Sequence, residues 1–266
     1  MPAPASSRPG FRRKGAHTAA GLLTRVVSPS AAGLACGFQN VLAGGGSLWN
    51  LPALEWVLGT PGAANATNRI AILAQNVVAV IGFHRGRMLP WKLALRLSVP
   101  TLVGGIGGAF LASRLDPGPM RTALACGVLL VAITSFFRPP RAPRLKGPLR
   151  DLAFVLVGVY MGFLQIGVGF ALLACLVGGL GLDPVRANGA KVLIVLIVTI
   201  PVLLVFGLAG QLVVLPGMVI AVGNMMGAWL GTRVAIRKGA PWIRVIVIIA
   251  AVAAITKLLV FHSGPR

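Results

Sequence analysis

Long apolar runs separated by short basic clusters dominate this sequence of 266 residues. The chain is 56% hydrophobic and only 11% charged, and its mean hydropathy is +0.88. Charged side chains are costly in hydrocarbon, so membrane proteins confine them to loops. Because one helical span takes about 20 residues, the apolar length is enough for about eight spans. The pattern predicts an all-α polytopic membrane protein.

The charge balance is strongly basic, with a net charge of +21 from 25 Lys and Arg against four acids. A balance of this size is found in nucleic-acid-binding proteins. Here the cations lie in loops between apolar runs, and no basic helix interleaved with aromatic residues is present. Orientation in the bilayer and contact with anionic headgroups account for such loops. The lipid bilayer is therefore a predicted partner and nucleic acid is not, while an anionic substrate is compatible with the excess of cations.

Composition divides the chain into two apolar halves with polar margins. We predict a disordered basic N-terminal tail over residues 1–25, a first transmembrane repeat over 26–137, a Pro- and Arg-rich linker over 138–151, a second transmembrane repeat over 152–261 and a tail over 262–266. The tail and the linker are rich in residues that disfavour a packed core. Each repeat holds about four hydrophobic segments.

Several glycine, proline, asparagine and phenylalanine residues recur in the two halves at one constant offset. The matching pairs are Gly46 with Gly169, Pro61 with Pro184, Asn65 with Asn188, and Phe83 with Phe206. Recurrence of turn and polar residues in register indicates an internal repeat. The most basic loop of the first half follows its second apolar segment, whereas that of the second half follows its third. Because basic loops favour the cytoplasm, we expect the homologous repeats to be inverted.

Glycines interrupt the first apolar segment of each repeat. The interrupting glycines are Gly44, Gly45 and Gly46 in the first repeat and Gly167 and Gly169 in the second. Backbone groups freed by a broken helix must line protein or a water-filled cavity. Broken helices that recur in both halves of a membrane protein are a sequence pointer to a transport site. Close packing of helices is the alternative role of such glycines.

Two cations follow the breaks and lie near the start of the next apolar helix. Arg69 comes after the turn at Pro61, and Lys191 after the turn at Pro184. A helix N-terminus carries partial positive charge and favours anions, so a cation there indicates that a bound anion supplies the missing negative charge. Snorkelling of the long side chains to headgroups is the alternative.

Neutral polar residues surround both cations on the same segments. They are Asn65, Thr67, Asn68, Gln75, Asn76 and Asn188, with Gln39, Asn40 and Gln165 beside the glycines as weaker candidates. Their N–H and O–H groups suit the oxygens of a sulfonate or carboxylate, and hydrogen bonding between helices is the alternative. We predict that the first six of these residues and the two cations bind substrate. The chain has no paired carboxylates and no His or Cys cluster, so we predict no catalytic residue, no metal and no cofactor.

Several motifs resemble the sulfite exporter TauE/SafE family. They are AGGGSLWNLPAL from Ala43, ANATNRIAILAQN from Ala64, GVGFALLACLVGGLGLDP from Gly167, RANGAKVLIVL from Arg186, and the paired blocks GAFLASR and GAWLGTR. The resemblance implies a permease of the inner membrane, built of two repeats, that moves sulfite, organosulfonates or related small anions. By position, the family's glycine motif falls on Gly44 to Gly46 and on Gly167 to Gly169.

We therefore expect a secondary transporter, not an enzyme, that works by alternating access on a small anionic substrate. A channel-like anion pore would use the same motifs, and a membrane assembly factor would show no flux of substrate. Assembly into a homo-oligomer is compatible with the sequence, as is a monomer.

Overall fold

The computed structural model describes the backbone of residues 19–136 and 145–262, and the side chains of residues 31–127, 129 and 145–239. Regular structure within these ranges is helical. The helices are α1 (Ala19–Leu42), α2 (Ser47–Leu58), α3 (Pro61–Arg85), α4 (Trp91–Ser113), α5 (Pro117–Phe136), α6 (Gly147–Phe163), α7 (Val168–Leu173) with a π-helix over Ala174–Gly179, α8 (Pro184–Leu208) and α9 (Val214–His262). The predicted all-helical class is confirmed.

Four described helices are long and apolar enough to cross a membrane. They are Pro61–Arg85, Trp91–Ser113, Pro184–Leu208 and Val214–Gly239. The last is the first part of α9, which bends sharply at Gly239, where φ is 69° and ψ is −164°.

The starts of α3 and α8 follow from local chemistry. Thr60 is extended, with a φ of −129°, and the fixed φ of Pro61 then suits the first helical position. Asp183 precedes Pro184, and its carboxylate accepts hydrogen bonds from the N–H groups of Val185 (3.0 Å) and Arg186 (3.3 Å). These bonds satisfy N–H groups that a helix start leaves free. Both turns thus fix where the two polar helices enter the fold.

Two predicted boundaries differ from the structure. Helix α1 begins at Ala19, inside the segment predicted as a disordered tail. Helix α6 begins at Gly147, inside the predicted linker, since Pro148 is tolerated in a first turn where its missing N–H is not needed. The rest of the tail (1–18), most of the linker (138–144) and residues 263–266 lie outside the described residues.

Contacts between loops define two ends of the helix bundle. At the first, called the basic end, the last turn of α3 packs at Gly82 against Thr232 of α9, and the start of α8 packs at Gly189 against Met88. The start of α6 joins them, because the Leu145 N–H donates to the Gly179 carbonyl at 2.8 Å.

At the other, called the opposite end, Gln211 donates to the Ser113 carbonyl at 2.9 Å. The Val213 N–H donates to the Thr67 hydroxyl at 3.1 Å. Helices α3 and α9 therefore run from the opposite end to the basic end, and α4 and α8 run the other way.

Glycines let each interrupted helix pack closely on a span of the other half. A Cβ on Gly104 or Gly108 of α4 would collide with the α6 backbone. A Cβ on Gly158 or Gly162 of α6 would collide with α4. Helix α1 meets α9 in the same way, with Gly37 against the backbone of Asn224. Lipid supplies no hydrophobic driving force between helices. Small residues at such crossings allow the close van der Waals packing that drives association instead.

Candidate functional site

The two interruptions lie against each other in the interior. Residues 43–46 separate α1 from α2, and residues 164–167 separate α6 from α7. Gly44 has a φ of +96° and Gly167 a φ of +67°, a region that side chains disfavour. A Cβ on Gly44 would lie against the backbone of Gly169, and the reverse also holds. The backbones of the two connections therefore touch at a point that only glycine allows.

Lys191 binds the end of α1. Its ammonium donates to the carbonyls of Asn40 (2.8 Å) and Val41 (3.0 Å) and to the Asn188 amide oxygen (2.6 Å). The Asn188 Nδ2 donates in turn to the Leu42 carbonyl at 3.3 Å. Lys191 is 2% exposed. All three ammonium protons have acceptors, and carbonyls that a helix end leaves free are satisfied.

Arg69 binds the end of α6 in a similar way. Its Nη1 donates to the Met161 carbonyl (3.0 Å) and to the Gln165 amide oxygen (2.7 Å), and its Nη2 donates to the Gly162 carbonyl (2.6 Å). The guanidinium also lies 4.7 Å from the centre of the Phe206 ring. Arg69 is fully buried, and its Nε has no hydrogen-bond partner. The planar guanidinium thus binds the C-terminal end of α6 on one side and packs on the Phe206 ring.

Each half of the chain caps the interrupted helix of the other half. Asn65, one turn before Arg69, donates to the Phe163 carbonyl at 3.0 Å. Its amide oxygen accepts from the Gln165 N–H at 3.4 Å. Asn65 therefore does for α6 what Asn188 does for α1. The carbonyl ends of helices carry partial negative charge, which the two cations offset.

This arrangement gives both cations a protein partner. The sequence interpretation weighed a bound anion at the N-terminus of the helix that carries each cation against snorkelling to headgroups. The side chains instead reach the C-terminal carbonyls of a second helix, a contact between residues about 90 to 150 positions apart that no local pattern reveals.

A cavity of about 20 Å³ lies where the interruptions meet. Its polar lining consists of Asn40, Ser47, Gln75, Asn76, Gln165 and Lys191, and its other lining residues are Gly44, Ile72, Val168, Gly169 and Val195. A buried water needs about 10–15 Å³ of such space, so the cavity has room for water but not for a sulfonate. None of the described lining residues is an acid. The cavity presents one cation and neutral hydrogen-bonding groups.

Five of the predicted site residues line this cavity. They are Lys191, Gln75, Asn76, Gly44 and Gly169. Arg69 lies behind Gln165, which it contacts, and Asn65 and Asn188 hold helix ends.

The remaining predicted residues lie off the lining. Asn68 does not line the cavity but donates to the hydroxyl of the lining residue Ser47 at 3.2 Å. Thr67 lies at the opposite end, where it accepts from Val213. Gly45, Gly46 and Gly167 shape the breaks without lining the cavity, and the Gly46 N–H donates to the Asn40 amide oxygen at 2.7 Å. The predicted set therefore separates into a cavity wall and a supporting shell.

Three buried polar residues at or beside the cavity were missed by the sequence interpretation. Ser47 lines the cavity, and Asn50 and Asn224 join a hydrogen-bonded cluster beside it. Asn224 was detectable as a lone amide within an apolar run. Ser47 and Asn50 lie in the glycine-containing motif that starts at Ala43, but only its glycines were interpreted.

The chain is similar to known membrane proteins over most of its length. The family model described as "Sulfite exporter TauE/SafE" matches residues 30–258. The chain is 29% identical over 234 residues to "Probable membrane transporter protein YfcA" of Escherichia coli K12, covering 86% of this chain and 87% of that protein. It is 27% identical over 239 residues to "Probable membrane transporter protein" of Haemophilus influenzae, covering 87% and 93%.

A third relative, "Probable membrane transporter protein ORF9" of Sinorhizobium sp, is 26% identical over 237 residues. The relatives are bacterial, and four described helices of this chain can cross a bilayer. The chain is accordingly a multi-pass protein of the inner membrane, and it belongs to the sulfite exporter TauE/SafE family.

Proposed function

We propose that this protein is a secondary transporter that carries a small anion, such as sulfite, an organosulfonate or a related sulfur or carboxylate anion, by alternating access. The observation that carries the proposal is the cavity at the meeting point of the two interruptions. Its described lining offers Lys191, four amide side chains and one hydroxyl, and no acid. Such a lining attracts a negative solute and offers nothing to repel it.

The local field favours an anion in a second way. Ser47 is both a cavity residue and the first residue of α2, which is 12 residues long. The N-terminal end of a helix carries partial positive charge. Because the protons of Lys191 are already bound to oxygens, an arriving anion displaces a carbonyl oxygen from the ammonium. Binding is then linked to release of the end of α1.

The helix directions support a pair of inverted repeats. Helices α3 and α8 match in sequence and begin at different ends of the bundle, as do α4 and α9. The α1–α2 pair and the α6–α7 pair return toward the opposite end and the basic end, respectively. A cavity this small requires a conformational change to admit the substrate. Rocking of one repeat against the other about the glycine contact would open it to either side.

The distribution of charge gives the orientation. The basic end carries these described cations: Arg85, Arg87, Lys92, Arg96, Lys146, Arg150, Arg186, Arg233, Arg237 and Lys238. Its described acids are Asp151 and Asp183. The opposite end has Arg114 and Arg121 against Glu55 and Asp116. By the positive-inside rule the basic end faces the cytoplasm.

Thiol labelling tests this orientation in a chain without its three native cysteines. We expect a membrane-impermeant maleimide to label Ala209→Cys in intact spheroplasts and to label Arg87→Cys only after lysis. The reverse result would invert the orientation.

Counterflow in proteoliposomes tests the transport function. We expect saturable exchange with at least one member of a panel of sulfite, sulfoacetate, thiosulfate and acetate. Lys191→Gln should remove it, whereas Lys92→Gln, which removes an exposed lysine at the basic end, should retain it. Flux without saturation or counterflow would instead indicate a channel-like pore. The absence of any flux from folded wild-type protein would favour an assembly factor and refute the proposal.

A further inference from the structure

A second polar cluster lies beside the cavity, among α2, α3 and α9. The Nδ2 of Asn50 donates to the Asn68 amide oxygen at 3.0 Å and to the Asn224 amide oxygen at 3.2 Å. All three side chains are fully buried. Two amide oxygens from different helices thus converge on one point, which the amino group of Asn50 now occupies.

The orientation of those two oxygens is held by their own amino groups. The Nδ2 of Asn68 donates to the Ser47 hydroxyl at 3.2 Å, and the Nδ2 of Asn224 donates to the Gln75 amide oxygen at 3.0 Å. Turning the Asn224 amide around would place its oxygen against the Gln75 oxygen, and turning the Asn68 amide around would place its amino group against that of Asn50. Both oxygens therefore stay directed at Asn50.

Asn50 itself is not satisfied. Its amide oxygen is buried and has no hydrogen-bond partner, although its amino group makes two bonds. A buried carbonyl oxygen without a partner is destabilising, and such groups mark unfilled positions for water or an ion. A half-turn of the Asn50 amide would bring its oxygen to the point where the other two oxygens converge. Three oxygens there repel one another unless a cation lies between them.

We propose that Asn50, Asn68 and Asn224 bind a monovalent alkali cation of the sodium type. Hard cations take oxygen ligands, including the amide oxygens of Asn. Divalent ions of this class are bound with the help of carboxylates, and no described acid contributes to the cluster. Neutral oxygens on three helices suit a single charge, because a higher charge would be left uncompensated in the interior.

The site shares residues with the anion cavity. Ser47 and Gln75 line the cavity and also hold the oxygens of Asn68 and Asn224. A cation at the cluster would therefore strengthen anion binding, and an anion would strengthen cation binding by the same factor. Binding of the cation stands alone, whereas its coupling to the anion rests on the proposed function. Movement of the pair would carry less net charge than movement of the anion by itself.

Thermal unfolding of the purified full chain in detergent tests the cation site. The protein is titrated with sodium chloride, with choline chloride making up a constant ionic strength. We expect sodium to raise the unfolding temperature of the wild type saturably. Gln211→Leu should keep this rise, because Gln211 also has an unpartnered amide oxygen but lies in the loop at the opposite end. Asn50→Leu should lose it.

Asn50→Asp keeps the assignment testable if Asn50→Leu does not fold. A carboxylate in place of the amide should shift the sodium titration to at least tenfold lower concentration. Identical curves in sodium and choline for the wild type, or an unchanged sodium midpoint in Asn50→Asp, would overturn the proposal and leave water as the occupant. A rise with sodium in a protein that shows no anion flux would support the cation site and refute the transport function instead.

Discussion

The C-terminal ends of helices α1 and α6 are capped in the same way, by an amide and a cation, but the two cations differ. Lys191 and Asn188 satisfy the last carbonyls of α1, and Arg69 and Asn65 satisfy those of α6. In both cases the cation and the amide are on a helix of the other half. These hydrogen bonds hold the two halves together at the helix ends, where the backbone carbonyls have no partner within their own helix.

The difference between the cations lies in their access to the cavity. Lys191 forms part of its wall, whereas Arg69 is separated from it by Gln165 and faces Phe206. An ammonium is a compact charge whose hydrogen bonds exchange readily, and a guanidinium is a planar fork with a fixed set of donors. We infer that both cations stabilise the fold and that only Lys191 meets the substrate. Three pairs of variants would break or sharpen this comparison.

The largest effect is expected where the two interruptions touch. Gly44→Ala and Gly169→Ala should each prevent folding, because the added Cβ meets the backbone of the facing segment and neither backbone can yield. The measurement is the yield of monodisperse protein in size-exclusion chromatography. Gly62→Ala is the matched control, since nothing lies within 4 Å of its added Cβ. Wild-type yield from either of the first two variants would contradict the close contact between Gly44 and Gly169.

The location of this contact was predictable in part. The recurrence of Gly46 in Gly169 and of Pro61 in Pro184 drew attention to these segments, and Pro61 and Pro184 open α3 and α8, because glycine and proline act through local backbone geometry. The partners of Lys191 were not predictable, since they are backbone carbonyls, which every residue has. Burial of the side chain on a distant helix end is a property of packing and leaves no periodic signal.

The same reasoning explains why Thr67 does not line the cavity. It shares a segment with Asn68 and Arg69, and proximity in sequence suggested one site. A helix turns 100° per residue, so neighbours point in different directions. The hydroxyl of Thr67 consequently meets Val213 in the loop at the opposite end.

Exchanging the two cations should give an intermediate effect that differs between the sites. Arg69→Lys should lower the free energy of unfolding by about 1–3 kcal/mol, because one ammonium does not replace the fork and leaves a buried acceptor unpaired. Its KM for the transported anion should equal that of the wild type. Lys191→Arg should raise KM several-fold, because the larger head intrudes on a cavity of about 20 Å³.

Chemical denaturation and initial rates of uptake measure these two quantities. A higher KM in Arg69→Lys at unchanged stability would place both cations at the substrate. An unchanged KM in Lys191→Arg would contradict the inference that Lys191 meets the substrate.

The smallest effect is expected for the amides that accompany the cations. Asn65→Ala and Asn188→Ala each remove one hydrogen bond to a helix-end carbonyl, so each should lower the free energy of unfolding by about 1 kcal/mol. Only Asn188 also accepts from its cation, at 2.6 Å. Without that acceptor a proton of Lys191 is free for the anion, so Asn188→Ala should lower KM while Asn65→Ala leaves it unchanged. Equal KM values in the two variants, measured by initial uptake, would mean that the Lys191 ammonium does not exchange its protein oxygens for the substrate.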